Sequence, residues 1–243
     1  MTAAPILEVR DLHKSYGGTS VLKGLDFEVT KGAVLGVTGQ NGAGKTTLLN
    51  IISGLISGTG TVRFEGKPVG GLAPHELARR GIARTFQAAT AFPDLTVREN
   101  VFCGSYFGSS MGRDEAWDHA ARMLDFVGEL KGKEDLKPGS FRLFDLRMVM
   151  LAIALATRPR LLMLDEPAGG LTPAETEVFM GLIRRINQEL GVTIILVEHL
   201  MKVIMGLCDE LMILHSGNIL VSGVPAEVAQ DQRVIDVYLG AEH

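Results

Sequence analysis

The sequence predicts an α/β protein built on a mostly parallel sheet, and three observations carry that prediction. Short, almost wholly apolar runs recur at Ala33–Thr38, Leu161–Leu164 and Val192–Val197, the pattern of strands covered on both faces. Between the last two, Val178, Phe179, Leu182, Ile183, Ile186 and Leu190 return at helical spacing, which makes a βαβ unit. The chain has 243 residues, 46% hydrophobic and 21% charged; that suits one folded domain with a large core and excludes disordered and fibrous classes.

Taken in order, Ile6–Val9 and Val21–Thr30 alternate apolar and polar residues around a Gly17–Gly18 turn and predict an N-terminal antiparallel β subdomain. Lys31–Gly32 turns into the buried strand Ala33–Thr38. A glycine-rich loop follows, then a helix from Lys45 to Ile52 stopped at Ser53–Gly54, and a strand at Thr61–Glu65. From about Val97 to Leu155 no strand pattern occurs. Trp117, Ala120, Ala121, Leu124 and Val127 recur at helical spacing, and Arg142–Ala156 is a second long helix, with a polar loop at Gly128–Ser140 between them. The expected organisation is therefore one domain over 1–243: an α/β core at 1–96 and 157–243, and an inserted helical subdomain at 97–156. After Leu161–Leu164 come Asp165-Glu166-Pro167, the amphipathic helix ended by Gly191, and the strand Val192–Val197. Shorter strands at Leu211–Leu214 and Ile219–Val221 precede a final helix at Val234–Leu239. No internal repeat or low-complexity segment interrupts this rhythm.

The bulk properties exclude several functions. A net charge of −4 with an isoelectric point near 5.9 gives no electrostatic reason for a nucleic-acid partner. Cys103 and Cys208 are too few and too scattered for a disulfide framework or a zinc site; they are expected as small buried apolar side chains in a reducing compartment. The start MTAAPILEVRD lacks the basic and apolar regions of a signal peptide. The longest apolar run, Met148–Ala156, is nine residues, against the ~20 that cross a bilayer. Any membrane connection is expected to come through a partner, the chain itself being soluble.

The chemistry begins at Gly39-Gln-Asn-Gly-Ala-Gly-Lys45-Thr46, which matches G-x-x-x-x-G-K-S/T without deviation between a predicted strand and a predicted helix. In such a loop backbone N–H groups curl around an anion, the lysine reaches the outer phosphates, the Thr46 hydroxyl ligates Mg²⁺ and the following helix presents its positive end. The expected nucleotide-binding residues are Gly39, Asn41, Gly42, Ala43, Gly44, Lys45, Thr46 and Thr47, and the fold is a P-loop NTPase core. Downstream, Asp165 and Glu166 end a hydrophobic strand on the side where open α/β sheets bind ligands. There Asp165 is placed to hold Mg²⁺ through water opposite Thr46, and Glu166 to orient and deprotonate a water for in-line attack on the γ-phosphate. A GTPase is disfavoured, since no N-K-x-D motif occurs.

With these motifs the chain resembles the nucleotide-binding domain of ABC transporters over essentially its whole length. The resemblance implies further site residues. Tyr16, in Lys14-Ser-Tyr-Gly, matches the aromatic that stacks on adenine. Gln87, in Ala83-Arg-Thr-Phe-Gln87, matches the Q-loop glutamine that touches Mg²⁺ and couples to the membrane subunit. His199, in Val197-Glu-His199, matches the switch histidine at the γ-phosphate, and Ala168–Pro173 looks like the D-loop. Gly81–Gln87, Val197–His199, Val203–Cys208 and Val234–Gly240 look like the ATPases of branched-chain amino acid importers; lipopolysaccharide-export and urea-import ATPases are similar.

One motif departs. Counting back from Arg158-Pro159 and Asp165, the family's LSGGQ-like signature falls at Phe141-Arg-Leu-Phe-Asp145. Arg142 stands for the serine, Phe144 for the second glycine and Asp145 for the glutamine. Phe144 is bulky where backbone must approach phosphate, and Asp145 adds a like charge. The alternative, Leu136-Lys-Pro-Gly-Ser140, keeps a glycine but requires an insertion. On the favoured reading this chain keeps a competent catalytic face (Tyr16, Lys45, Thr46, Gln87, Asp165, Glu166, His199) and lends a defective one to its partner.

The resemblance thus implies an ATP- and Mg²⁺-dependent ATPase that powers solute import through separate membrane permease subunits, paired in a heterodimer with a second ABC ATPase subunit. Its expected place is cytoplasmic, peripheral on the inner face of the cell membrane. The alternative is an ABC-type ATP-binding module with little turnover, regulatory or working outside transport.

Overall fold

A computed structural model describes residues 4–86 and 91–239. Strands β1 (Pro5–Tyr16) and β2 (Thr19–Thr30) pair antiparallel. Both outrun the alternation that predicts them, because register shifts interrupt the pairing at several points and break the two-residue period. With β4 (Thr59–Phe64) and β5 (Lys67–Pro68) they form a four-stranded antiparallel sheet in the order β2-β1-β4-β5.

The second sheet has six strands: β3 (Val34–Thr38), β6 (Ile82–Arg84), β7 (Leu161–Asp165), β8 (Thr193–Val197), β9 (Glu210–His215) and β10 (Asn218–Gly223), in the order β10-β9-β3-β8-β7-β6. All neighbours are parallel except β10, which runs antiparallel at one edge. Alternation along each central strand divides its apolar residues between two layers. Leu162, Leu164, Ile194 and Leu196 enter one core with the helices. Leu161, Met163, Ile195 and Val197 enter another with β1, β2 and β4. This is why the strands read as unbroken apolar runs.

The helices are α1 (Lys45–Ile52), α2 (Pro74–Arg79), α3 (Val97–Gly108), α4 (Arg113–Val127), α5 (Leu143–Ala156), α6 (Pro173–Leu190), α7 (Met201–Leu207), α8 (Pro225–Val228) and α9 (Gln232–Leu239). Between residues 97 and 156 the only regular structure is helical, and a 3-10 turn at Pro138–Ser140 punctuates the loop before α5. Reciprocal capping fixes two of the starts. Thr96 accepts from the Glu99 N–H while the Glu99 carboxylate accepts from the Thr96 N–H, and Thr172 and Glu175 do the same for α6. Gly191, at φ 66°, ends α6.

Three expectations need correction. Val178 and Leu190 are exposed; the buried stripe of α6 is instead Thr176, Phe179, Met180, Leu182, Ile183 and Ile186. Ala121 is exposed on α4, where Ala116 and His119 share the buried side with Ala120, Leu124 and Val127. Cys103 and Cys208 are half-buried free thiols rather than fully buried ones. In each case the apolar letter carried too little weight against the geometry of the face it sits on. The short elements α2, β6 and α7 have too few residues to show a period.

Candidate nucleotide and catalytic site

The site sits at the carboxyl ends of β3, β7 and β8, where their loops converge. The phosphate loop leaves β3 at Gly39, whose φ is 149°; a Cβ there would lie 2.1 Å from the Leu214 carbonyl oxygen. Gly44 caps α1 at φ 107°, and a Cβ on it would meet the Leu22 side chain at 2.6 Å. Backbone contact therefore excludes a side chain at Gly39, and the left-handed backbone makes one strained at Gly44. The loop encloses a cleft of about 760 Å³ lined by Val21, Asn41, Gly42, Gly44, Lys45, Thr46, Thr47, Glu166 and His199. The cleft thus joins the phosphate loop, one acid of the pair and His199, residues up to 158 positions apart in the chain.

Lys45 folds back over the loop, its Nζ donating to the Gly39 carbonyl at 2.6 Å and the Gln40 carbonyl at 3.1 Å. Burial lowers its pKa, against the attraction of Glu166 and Asp165, which raises it. Both carboxylates therefore favour the charged form of the lysine, although of the two only Glu166 lines the cleft. Glu166 holds a left-handed backbone, φ 46°, with its N–H on the Val197 carbonyl at 2.9 Å. A non-glycine residue in that region stores strain, which concentrates at functional positions.

Asp165 is buried, and its Oδ2 accepts from Arg84 at 2.8 Å. A carboxylate has four lone-pair directions, so this bond leaves acceptor capacity for a water on a cation. The donor set of Thr46 hydroxyl and Asp165 carboxylate is hard oxygen, which fits Mg²⁺ held mainly by phosphate oxygens and water. No group of three or more acidic, histidine or cysteine side chains suited to a metal occurs among the described residues.

Tyr16 ends β1, half-exposed, with Lys14 Nζ 5.0 Å from its ring centre; it is not among the residues lining the cleft. Gln87 lies outside the described residues.

Sequence reasoning missed three buried charges. Glu198, 1% exposed, accepts from the Ala168 N–H at 2.9 Å and the His199 N–H at 3.1 Å, tying the loop after the acid pair to the histidine. Arg84 binds Asp165, and Arg147 of α5 donates to the Phe86 carbonyl at 3.2 Å. The available signal was a lone charge in an apolar stretch, since a buried charge must find a partner.

The predicted signature lies where α5 starts. Arg142 is the N-cap residue, with an ordinary extended backbone (φ −68°, ψ 160°), and Phe144 packs on the core. Asp145 does not stand as a bare charge: Lys133 Nζ lies 2.6 Å from its Oδ1. The alternative, Leu136–Ser140, sits on the loop and 3-10 turn before α5.

Strand, glycine loop, helix and an acid pair at the end of β7 define a nucleotide-binding domain of the phosphate-loop class. Residues 22–169 match the family model for the ABC transporter, and residues 218–243 match that for the branched-chain amino acid ATP-binding cassette transporter. The chain belongs to the ABC transporter family, as one of its ATP-binding, ATP-hydrolysing subunits. It is 36% identical to the high-affinity branched-chain amino acid transport ATP-binding protein BraF of Pseudomonas aeruginosa, the match covering 97% of this chain and 98% of that protein. It is 32% identical to LivG of Escherichia coli, of the same description, with the same coverage. Among solved structures, the ADP conformation of an ATP-binding cassette of an ABC transporter superposes with a TM-score of 0.88 at 29% identity, covering 98% of this chain and 100% of the other.

Proposed function

We propose that this chain powers the import of branched-chain or other hydrophobic amino acids. The observation that carries the solute class is the match of residues 218–243 to the branched-chain cassette model, because similarity over the core does not discriminate. The ribose import ATP-binding protein RbsA of Shouchella clausii is 32% identical across 98% of this chain, which spans 48% of that protein.

In this reading the loop 39–46 with Thr47 holds the triphosphate of ATP, and Tyr16 stacks on the adenine. Lys45 neutralises the outer phosphates. Thr46, Asp165 and Gln87 hold Mg²⁺, which when bound shields the phosphate charge. Glu166 orients and deprotonates the attacking water, and His199 contacts the γ-phosphate. The core at 1–96 and 157–243 carries this chemistry, and the helical subdomain at 97–156 meets the partners.

No helix among the described residues is long and apolar enough to cross a membrane. In this reading separate permease subunits carry the solute, and the chain sits peripherally on the inner face of the cell membrane. The permeases dock on the apolar cleft between core and helices, about 290 Å³ and lined by Leu55, Ile82, Phe86, Met150 and Ile153 among others. Because α5 starts with Arg142 and Phe144 instead of a glycine turn, the functional assembly is a heterodimer with an ATPase of intact signature.

The test is reconstitution of this chain with such an ATPase and permease subunits in liposomes loaded with ATP. Labelled leucine, isoleucine or valine should accumulate, and Glu166→Gln should abolish accumulation while ATP binding persists. Equal accumulation with the Glu166→Gln chain, or cooperative hydrolysis by the wild-type chain alone at rates equal to the pair, would overturn the reading.

A further inference from the structure

We infer that Arg84 is a positioning residue that ties the permease-facing cleft to the carboxylate of Asp165. This rests on the reading of Asp165 as the Mg²⁺-holding acid. Three contacts converge on the one guanidinium, whose side chain is 4% exposed. Its Nη2 donates to Asp165 Oδ2 at 2.8 Å, and its Nη1 donates to Asn50 Oδ1 at 2.7 Å and to Ser53 Oγ at 3.2 Å. Its Cζ lies 5.0 Å from the centre of the Phe86 ring. Asn50 belongs to α1 and Ser53 caps its end, so Arg84 fastens the helix that carries the phosphate loop to the strand that carries the acids.

The same residues open outward. Ser53, Arg84 and Phe86 all line the apolar cleft, with Met150 and Ile153 of α5 on its other side. A body pressing on Phe86 from this cleft meets the guanidinium directly, and any displacement of the guanidinium rotates Asp165 or shifts α1. Arg147 completes the arrangement from α5 by holding the Phe86 carbonyl at 3.2 Å. Segment 84–86 is thus clamped by two buried arginines immediately before Gln87.

The planar fork matters more than the charge. One guanidinium satisfies a carboxylate, an amide oxygen and a hydroxyl in fixed directions, which a lysine ammonium cannot reproduce at that spacing. Groups that orient metal-binding side chains typically change metal affinity or activity by about 10–100-fold when removed.

The test compares Arg84→Met, Arg84→Lys and Asp165→Asn, with fluorescent ATP binding measured in EDTA and in Mg²⁺ and the melting temperature followed in parallel. We expect Arg84→Met to keep metal-free ATP binding and to lose most of the Mg²⁺-dependent gain in affinity, about tenfold or more, with Arg84→Lys between. In the reconstituted transporter Arg84→Met should also lose the permease-stimulated fraction of hydrolysis more than the basal fraction. An Arg84→Met protein that melts like wild type and keeps its full Mg²⁺-dependent gain overturns the inference. So does one whose metal-free binding falls in step with its melting temperature, which would make Arg84 a structural brace only. Should Asp165→Asn keep the Mg²⁺ gain, the assignment of Asp165 itself fails, a result distinguishable from failure at Arg84.

Discussion

Helices α1 and α5 begin in opposite ways. The start of α1 is Gly44 in the left-handed region, with no acid in its first turn. Its unpaired N–H groups and positive end are left for an external anion. The start of α5 is Arg142 in extended conformation, with Asp145 in the first turn and Lys133 paired to it. That helix supplies its own negative charge, so its dipole is already answered from within the chain. An anion site therefore depends as much on what a helix start lacks as on what it carries.

The strongest way to break this comparison is at the competent end. Glu166→Gln should reduce turnover by about 10²–10⁴-fold, the usual worth of a general base, with ATP affinity retained; phosphate release and nucleotide binding measure the two. Comparable turnover in the variant would move the base elsewhere. Next is repair of the other end. The triple change Arg142→Ser, Phe144→Gly, Asp145→Gln should raise hydrolysis by the purified chain alone by about tenfold or more, since one well-placed donor to a developing anion is worth that much. No gain would mean that α5 is not what limits the homodimer.

A smaller effect tests the internal neutralisation. Lys133→Ala removes the partner of a largely buried Asp145 and should cost about 1 kcal/mol in urea denaturation. A fourth test concerns the helical side. Burial on α4 holds the His119 imidazole down at about 4, from 6.5. Its folded pKa is depressed, so the unfolded chain binds the extra proton first; the contribution is fully present above pH 6.5 and is lost as pH falls towards 4. His119→Gln should flatten the stability profile in that window, as read by thermal melting at stepped pH.

Much of the fold was legible because its signals are local. The phosphate loop, the acid pair and Gly191 each announce themselves within a few residues, and the central strands are apolar for the plain reason that both faces are covered. What escaped depends on the third dimension. The exposed side of α6 at Val178 differs from the buried side at Phe179 by one residue, a margin finer than periodicity resolves. Arg84, Arg147 and Glu198 take their meaning from partners 30 to 81 residues away, Glu198 from Ala168 at the near end and Arg84 from Asp165 at the far end. The charge of Asp145 could be read from the sequence, but its neutralisation by Lys133 could not. The site's geometry supports the phosphate loop, Glu166 and His199 as neighbours, while Tyr16 stands outside the cleft wall.

The strand order has a consequence for the chain's manufacture. β3, from which the phosphate loop springs, pairs with β8 on one side and β9 on the other, both far downstream. Gln40 of the loop also donates through Nε2 to the Val237 carbonyl on α9 at 2.8 Å. A chain emerging from the ribosome carries its loop sequence early, yet that loop has no flanking strand until Thr193 is out and no final tie until Val237 follows. Contacts of such long sequence separation form late. The strand that carries the phosphate loop is therefore flanked on both sides only once β8 and β9 have been made.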